Sequence, residues 1–443
     1  MEKLVIPNPK WLEAQNSGRS TWGINKFITN FFVMPNEDFI VPRGLFSWIT
    51  KFCKDFEIPY TIRDDRTIFD HIDIDSSKIV FRPYQLDGVS RLIANSSGVL
   101  VSPAGSGKTI MGLSLLPMLG QPTLWLTHTG PLATQAKERA EFFLPNIGEI
   151  GLIGDSKWKI GDVLTIGMVQ TLVRRMEEAS KIQDRFGMLI VDESHRVPSR
   201  TFSEVTGIFN PYYTYGLTAT PYRRDRLEAL MFHALGEDKV VVDIKSVKEH
   251  GGIIVPTIRY REIRSKEVDG NDIQKILRDN IVNNTKRNRI IVGDVVREAA
   301  EGHFCIVISD RKEHCEMLFD LISKSWEKTG IATGDYTKKQ VQEEIDRLNR
   351  REVTVLVATS ALLGEGFDAA FLDRGFLAMP FRAEAKTEQF VGRIQRSAPE
   401  KEDAILYDYV DVNIGVLKNQ FYSKSKDCRY RIYTKLGAYV EPY

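Results

Sequence analysis

The sequence predicts an α/β protein, with two doubly wound parallel-sheet lobes and a small N-terminal α+β accessory domain ahead of them. Three observations predict it. An apolar run at 98–101 leads into Ser102-Pro-Ala-Gly-Ser-Gly-Lys-Thr109, and a helical pattern follows at once. Strand-like and helical stretches alternate from about residue 76. A second alternating series begins near residue 255. Alternation of this kind is the signature of parallel sheets covered by crossover helices.

The elements follow in order. Residues 1–75 form the accessory domain, rich in rings (Trp11, Trp22, Phe27, Phe31, Phe32, Phe46, Trp48, Phe52), which implies a small core of its own. A strand, a turn and a helix are expected over 39–48, and the polar stretch 61–73 reads as a linker edge. Residues 76–248 form the first lobe, with strands at 98–101, 123–126, 163–166, 188–191 and 214–217 and a helix over 131–143. Residues 249–443 form the second, with strands at 304–308, 353–357, 374–378 and 404–407 and helices over 313–323 and 339–348. The connection falls at 236–256, where Gly251-Gly252 offers hinge freedom.

Composition narrows the class. The chain has 443 residues, 42% apolar content and a formal net charge of +1. That is enough for two or three domains, and no global basic field advertises a polyanionic partner. Cys53, Cys305, Cys315 and Cys428 are scattered without metal-ligand spacing and read as free thiols in a reducing compartment. No apolar stretch reaches membrane-spanning length and no signal-peptide pattern opens the chain, so a cytoplasmic location is expected, the host cytoplasm if the chain is phage-encoded.

Two motifs carry chemistry. In the loop after the first strand, Pro103, Ala104, Gly105, Ser106 and Gly107 are small enough for backbone N–H groups to cradle phosphates. Lys108 can reach the β- and γ-phosphates, Thr109 can ligate Mg²⁺, and the helix starting there adds its dipole. Ser102 stands where the common pattern opens with Gly, so Gly105 is expected to supply the flexibility. The second motif, Asp192-Glu-Ser-His195, ends an apolar strand, the place where ligands sit in parallel α/β sheets. Asp192 can hold Mg²⁺ through its water shell, and Glu193 can orient and deprotonate a water. His195 is suited to sensing a neighbouring domain.

The order of further motifs resembles a superfamily 2 DNA helicase or translocase of the DExH type, with two RecA-like lobes; residues 80–400 carry the resemblance. Phe81-Arg-Pro-Tyr-Gln85 resembles the adenine-recognition motif, which implies nucleotide contacts from Arg82 and Gln85. Leu124-Trp-Leu-Thr-His-Thr129 and Thr165-Ile-Gly-Met-Val-Gln-Thr171 resemble strand-holding motifs, implying nucleic-acid contacts from Thr127, His128, Thr165 and Gln170. Leu217-Thr-Ala-Thr-Pro221 resembles the coupling motif, through Thr218 and Thr220, and Arg223 and Arg224 follow as candidate nucleic-acid contacts. In the second lobe, Phe304-Cys-Ile-Val-Ile-Ser309 resembles the lobe's opening motif, which implies a nucleic-acid contact from Ser309. Val357-Ala-Thr-Ser-Ala-Leu-Leu-Gly-Glu-Gly-Phe-Asp368 resembles a motif touching both partners: Thr359 at a phosphate, and Gly364, Gly366 and Asp368 near the nucleotide. Gln389-Phe-Val-Gly-Arg-Ile-Gln-Arg396 matches Gln-x-x-Gly-Arg-x-x-Arg. Spacing on a helix puts Gln389, Arg393 and Arg396 on one face. The resemblance makes Arg396 an arginine finger with Arg393 beside it, a device worth ~10³–10⁵ in rate.

Asp-Glu-Ser-His and Thr-Ala-Thr resemble the DNA-directed branch that includes XPB, RecG and UvsW. The resemblance implies ATP and Mg²⁺ as cofactors and forked, branched or duplex DNA as partner, with replication or recombination proteins as further ones and a monomer as the working unit. Basic and aromatic clusters at 286–289 and 422–433 are further candidate contacts. An RNA helicase, a motor subunit of a remodelling or restriction complex, and a nucleotide-dependent switch stand as the alternatives.

Overall fold

A computed structural model describes residues 3–194, 199–219, 227–265, 272–363, 367, 369–381, 384–423 and 428–443. The chain forms two compact units, one running to His250 and the other beginning at Gly251.

The first unit opens with two small antiparallel pairs, β1 (Val5–Pro7) with β2 (Phe27–Thr29), and β3 (Phe32–Val33) with β4 (Phe39–Ile40). Helices Pro9–Asn16 and Phe46–Asp55 complete this region. An eight-stranded sheet follows, built from β5 (Ser97–Val101), β6 (Thr123–Thr127), β7 (Gly151–Gly154), β8 (Lys157–Lys159), β9 (Leu164–Met168), β10 (Met188–Val191), β11 (Tyr213–Thr218) and β12 (Lys239–Val241). Its order is β12-β5-β11-β10-β6-β9-β7-β8, parallel except for the β7–β8 pair. In β6 and β10 every residue is buried, because helices cover both faces; hence their unbroken apolar runs.

The second unit is a fully parallel seven-stranded sheet. Its strands are β13 (Thr257–Ile263), β14 (Cys305–Ser309), β15 (Thr329–Ala332), β16 (Val355–Thr359), β17 (Arg374–Leu377), β18 (Ile405–Asp411) and β19 (Tyr439–Pro442), in the order β15-β16-β14-β17-β18-β13-β19. The expected helices appear as Lys312–Ser323 and Lys338–Asn349.

The accessory region departs from expectation. Among the described apolar residues up to 75, only Ala14 and Leu45 are buried, while Trp22 is 92% exposed and Phe32 72%. The rings therefore build no core of their own, because two short strand pairs and two helices supply no second layer to cover them. The region instead docks on the first lobe. A Cβ at Gly44 would stand 2.5 Å from the carbonyl oxygens of Phe232 and His233, so only glycine permits this approach to the helix Glu228–Leu235. Asn30 bonds His233 Nδ1 at 2.9 Å.

Residues 64–75 form a strap and not a loose linker. Thr67 N–H donates to Asn210 O and Tyr212 N–H to Thr67 O, at 2.7 and 2.8 Å. The Arg66 guanidinium lies over the Tyr212 ring, 4.1 Å from its centroid. Phe69 exchanges two bonds with the Gln121 amide at 2.8 and 2.9 Å, and Ile72 N–H reaches Gly120 O at 2.9 Å. All these partners precede β6 or β11, so the strap crosses the amino ends of the strands.

Candidate active site

The opposite, carboxyl ends of β5, β10 and β11 converge on the loop 102–107. Ser102 N–H donates to Thr218 O at 2.9 Å, joining the loop to the end of β11. The Ser102 hydroxyl lies 2.5 Å from Ser106 Oγ, which donates to Pro103 O at 2.7 Å. Ser102 thus braces the loop with a bond that glycine could not make. Gly105 and Gly107 have φ of +86° and +87°, and a Cβ at Gly107 would meet Gln85 Nε2 at 2.5 Å. Glycine is obligatory at Gly107 on both counts.

The helix Pro83–Ile93 supports the loop from below. Its Gln85 amide accepts from Arg82 N–H and donates to Ser106 O, both at 2.9 Å, and Tyr84 Oη donates to the same carbonyl at 2.9 Å. Gln85 keeps one N–H and one lone pair for a further partner. Tyr84 lies inside the Phe81–Gln85 motif, but that resemblance assigned contacts only to Arg82 and Gln85.

Lys108 opens the helix Lys108–Leu119; its Nζ lies 3.4 Å from Ser102 O and 4.0 Å from Glu193 Oε1. Both side chains are largely buried, so this opposition is weakly screened. Glu193 has φ of +47°, a region that non-glycine residues rarely adopt, and its N–H donates to Asp192 Oδ1 at 2.9 Å. Such strain clusters at working sites. Burial, reinforced by the Glu193 charge and opposed by Lys108, pushes the Asp192 carboxyl up to about 7. A carboxylate so poorly solvated fits a divalent cation, which would supply the missing positive charge. The Asp192 oxygens and the Thr109 hydroxyl are hard donors of the kind Mg²⁺ takes.

The other expected positions divide. Thr218 ends β11, buried beside the loop, and Thr127 ends β6, its hydroxyl 3.4 Å from Thr129 O. His128 is half-buried in the turn after β6, and Gln170 is exposed on the helix Val169–Arg174. Thr359 ends β16, half-buried. His195, Thr220, Arg223, Arg224, Gly364, Gly366 and Asp368 lie outside the described residues.

Several expectations are corrected. Thr165 is 1% exposed near the start of β9, and its hydroxyl accepts from Gly161 N–H at 3.0 Å, so it serves the fold and offers nothing to a nucleic acid. Ser309 is fully buried; its hydroxyl accepts from Arg311 N–H at 3.2 Å and pairs with His314 Nδ1 at 3.0 Å. Arg396 shares no helix face with Gln389 and Arg393. The helix Glu384–Ile394 stops before it, and Arg396 forms an antiparallel bridge with Ile253.

The basic clusters are partly internal. Arg287 is fully buried, bonding Asp411 at 3.2 Å and Ala378 O at 2.5 Å. Arg429 grips Asp408 with two bonds of 2.7 and 3.0 Å, and Tyr433 adds a third at 2.9 Å. Lys286, Arg289 and Arg431 remain at the surface. Among the described residues, no helix is long and apolar enough to cross a membrane.

Two family models match the chain: the res subunit of type III restriction enzymes over residues 78–223, and the helicase conserved C-terminal domain over residues 286–398. A probable helicase of Escherichia phage T5 is 25% identical over 92% of this chain and 90% of its own length. The ATP-dependent DNA helicase uvsW of Enterobacteria phage T4 is 24% identical over 87% of this chain and 82% of its own. Among solved structures, the DUF1998 helicase MrfA bound to DNA shares the fold with a TM-score of 0.60, at 14% identity over 84% of this chain and 54% of that one. The loop at Lys108, the acidic pair at the end of β10 and both matched domains stand in one order, and by them the chain is a superfamily 2 helicase, an enzyme that hydrolyses ATP.

Proposed function

We propose that this helicase works on DNA, unwinding or branch-migrating forked and junction DNA in replication, recombination or repair. The observation that carries the DNA assignment is the near full-length similarity to a chain named as a DNA helicase, together with the Asp-Glu-Ser-His and Thr-Ala-Thr sequences at the strand ends.

In the mechanism, the 103–107 backbone and Lys108 bind the β- and γ-phosphates. Thr109 and Asp192 would hold Mg²⁺, which would neutralise phosphate charge there. Glu193 accepts the proton of the attacking water as the new P–O bond forms and the bond to ADP breaks. Arg396, with Arg393 beside it, stabilises the charge that develops. Gln85 and Arg82 contact the adenine, and Gly366 and Asp368 complete the nucleotide site. His195, Thr218, Thr220 and Gln389 couple hydrolysis to strand movement. Thr127, His128, Gln170, Arg223, Arg224 and Thr359 hold the backbone of the nucleic acid without reading bases.

The exposed rings of the N-terminal region supply the substrate-selecting surface. The test is strand displacement on a panel of forks, four-way junctions and blunt duplexes, beside ATPase stimulation by DNA and by RNA of matched sequence. Preference for forks and junctions, with DNA the better stimulator, is expected. Stimulation by RNA alone overturns the reading.

A further inference from the structure

Lys401 lies seven residues beyond the end of the helix that carries Gln389 and Arg393, and it is only 8% exposed. Among the described residues its ammonium is bonded to no carboxylate. It donates to Leu372 O at 2.6 Å and to Ala370 O at 3.4 Å, and a third bond reaches Ile394 O. An ammonium has three donors and no acceptor, so three carbonyls saturate it. Ile394 is the last residue of the helix, where carbonyls lack partners within the helix and a cation is favoured by the dipole.

The other two carbonyls belong to the turn that follows Phe367, in the segment expected to contact nucleotide. Phe367 and Leu372 are buried, and Leu372 N–H closes the turn on Ala369 O at 3.2 Å. Lys401 therefore pins the helix end to this turn. Arg396 follows Ile394 by two residues, and its charge is close enough to be felt at Lys401. On its other side the Arg396 stretch is held by the start of the unit: Ile254 N–H donates to Gln395 O at 2.8 Å, and Ser397 Oγ lies 3.3 Å from Gly252 O.

We propose that Lys401 is a positioning residue for ATP hydrolysis, fixing where Arg396 stands by tying the helix end at Ile394 to the Ala370–Leu372 turn. The inference rests on the reading of Arg396 as the group that stabilises developing charge. A flexible attachment would leave the guanidinium to find its place at each turnover, and a misplacement of about 1 Å can cost ~10²-fold.

The test is a double-mutant cycle on DNA-stimulated ATPase, with kcat and KM for ATP measured separately. Lys401→Met is expected to lower kcat about 10- to 100-fold while KM changes less than about twofold. Lys401→Arg, which keeps charge and donors, is expected to recover most of the loss. In an Arg396→Ala background, Lys401→Met is expected to cost almost nothing more, because its effect passes through Arg396.

If Lys401→Met does not fold, Lys401→Gln enters the same cycle, with an intermediate loss expected and the same disappearance in the Arg396→Ala background. Unchanged kcat in Arg396→Ala alone overturns the reading of Arg396, and this inference with it. Full loss in Arg396→Ala beside wild-type kcat in both Lys401 variants overturns the inference alone. So does a loss that persists undiminished in the Arg396→Ala background.

Discussion

The two lobes carry the same kinds of cation and use them differently. In the first, Lys108 stands at the strand ends, 4.0 Å from Glu193, and no carboxylate grips it tightly. In the second, Arg287, Arg374, Arg429 and Lys401 are buried and bonded to groups of their own lobe. Lys108 stands open to a ligand, whereas these four second-lobe cations are spent in holding their own lobe together. A basic residue in this chain is therefore informative only once its acids are located.

The sharpest test of the contrast is Lys108→Ala. Turnover is expected to vanish while DNA binding persists, because this cation meets phosphate of the nucleotide only. Near-wild-type hydrolysis would erase the distinction. Glu193→Gln comes next: it is expected to bind ATP with Mg²⁺ and hydrolyse it very slowly, trapping a nucleotide-bound complex visible by filter retention. Failure to bind nucleotide would make Glu193 a structural residue.

On the second lobe, removing a buried cation leaves its acid uncompensated. Arg287→Ala is expected to cost about 3–5 kcal/mol in denaturant unfolding. Arg289→Ala, one turn surface away, is expected to change stability by less than about 0.5 kcal/mol. Equal effects of the two would mean that burial does not separate the lobe's cations.

A smaller effect concerns pH. Burial lowers the His314 imidazole to about 3, and its ring is held between Ser309 Oγ and Asn288 Oδ1 at 3.0 and 3.1 Å. A histidine that is harder to protonate folded than unfolded gives stability that is complete above about 6.5 and shrinks as pH falls toward 3. Asp192 acts with the opposite sign. Its carboxyl is raised, so the nucleotide-free first lobe gains stability as pH falls below about 7. Thermal melts of His314→Gln between pH 4 and 7 are expected to show a flatter acid limb than the wild type. An unchanged limb would remove His314 from the account.

Much of this was legible in sequence. Strands ending in Val101 and Val191 are continuous apolar runs, and the residues after them carry the chemistry, so period and position sufficed. The helix through Arg393 was legible too, but not its end: Lys401 takes the Ile394 carbonyl from a distance that no local pattern encodes. Arg287 and Arg429 looked like surface charge because their acids lie elsewhere in the chain, 124 and 21 residues away. The rings before residue 75 implied a core because apolar content says nothing about whether a second layer exists to cover it.

The strap of residues 64–75 fixes a frame of reference. It is stitched to the amino ends of β6 and β11, and the carboxyl end of β11 holds the nucleotide loop. The N-terminal region is thereby anchored to the same unit that holds Lys108 and Glu193, so its position is set by the sheet that carries the nucleotide loop and not by a free tether.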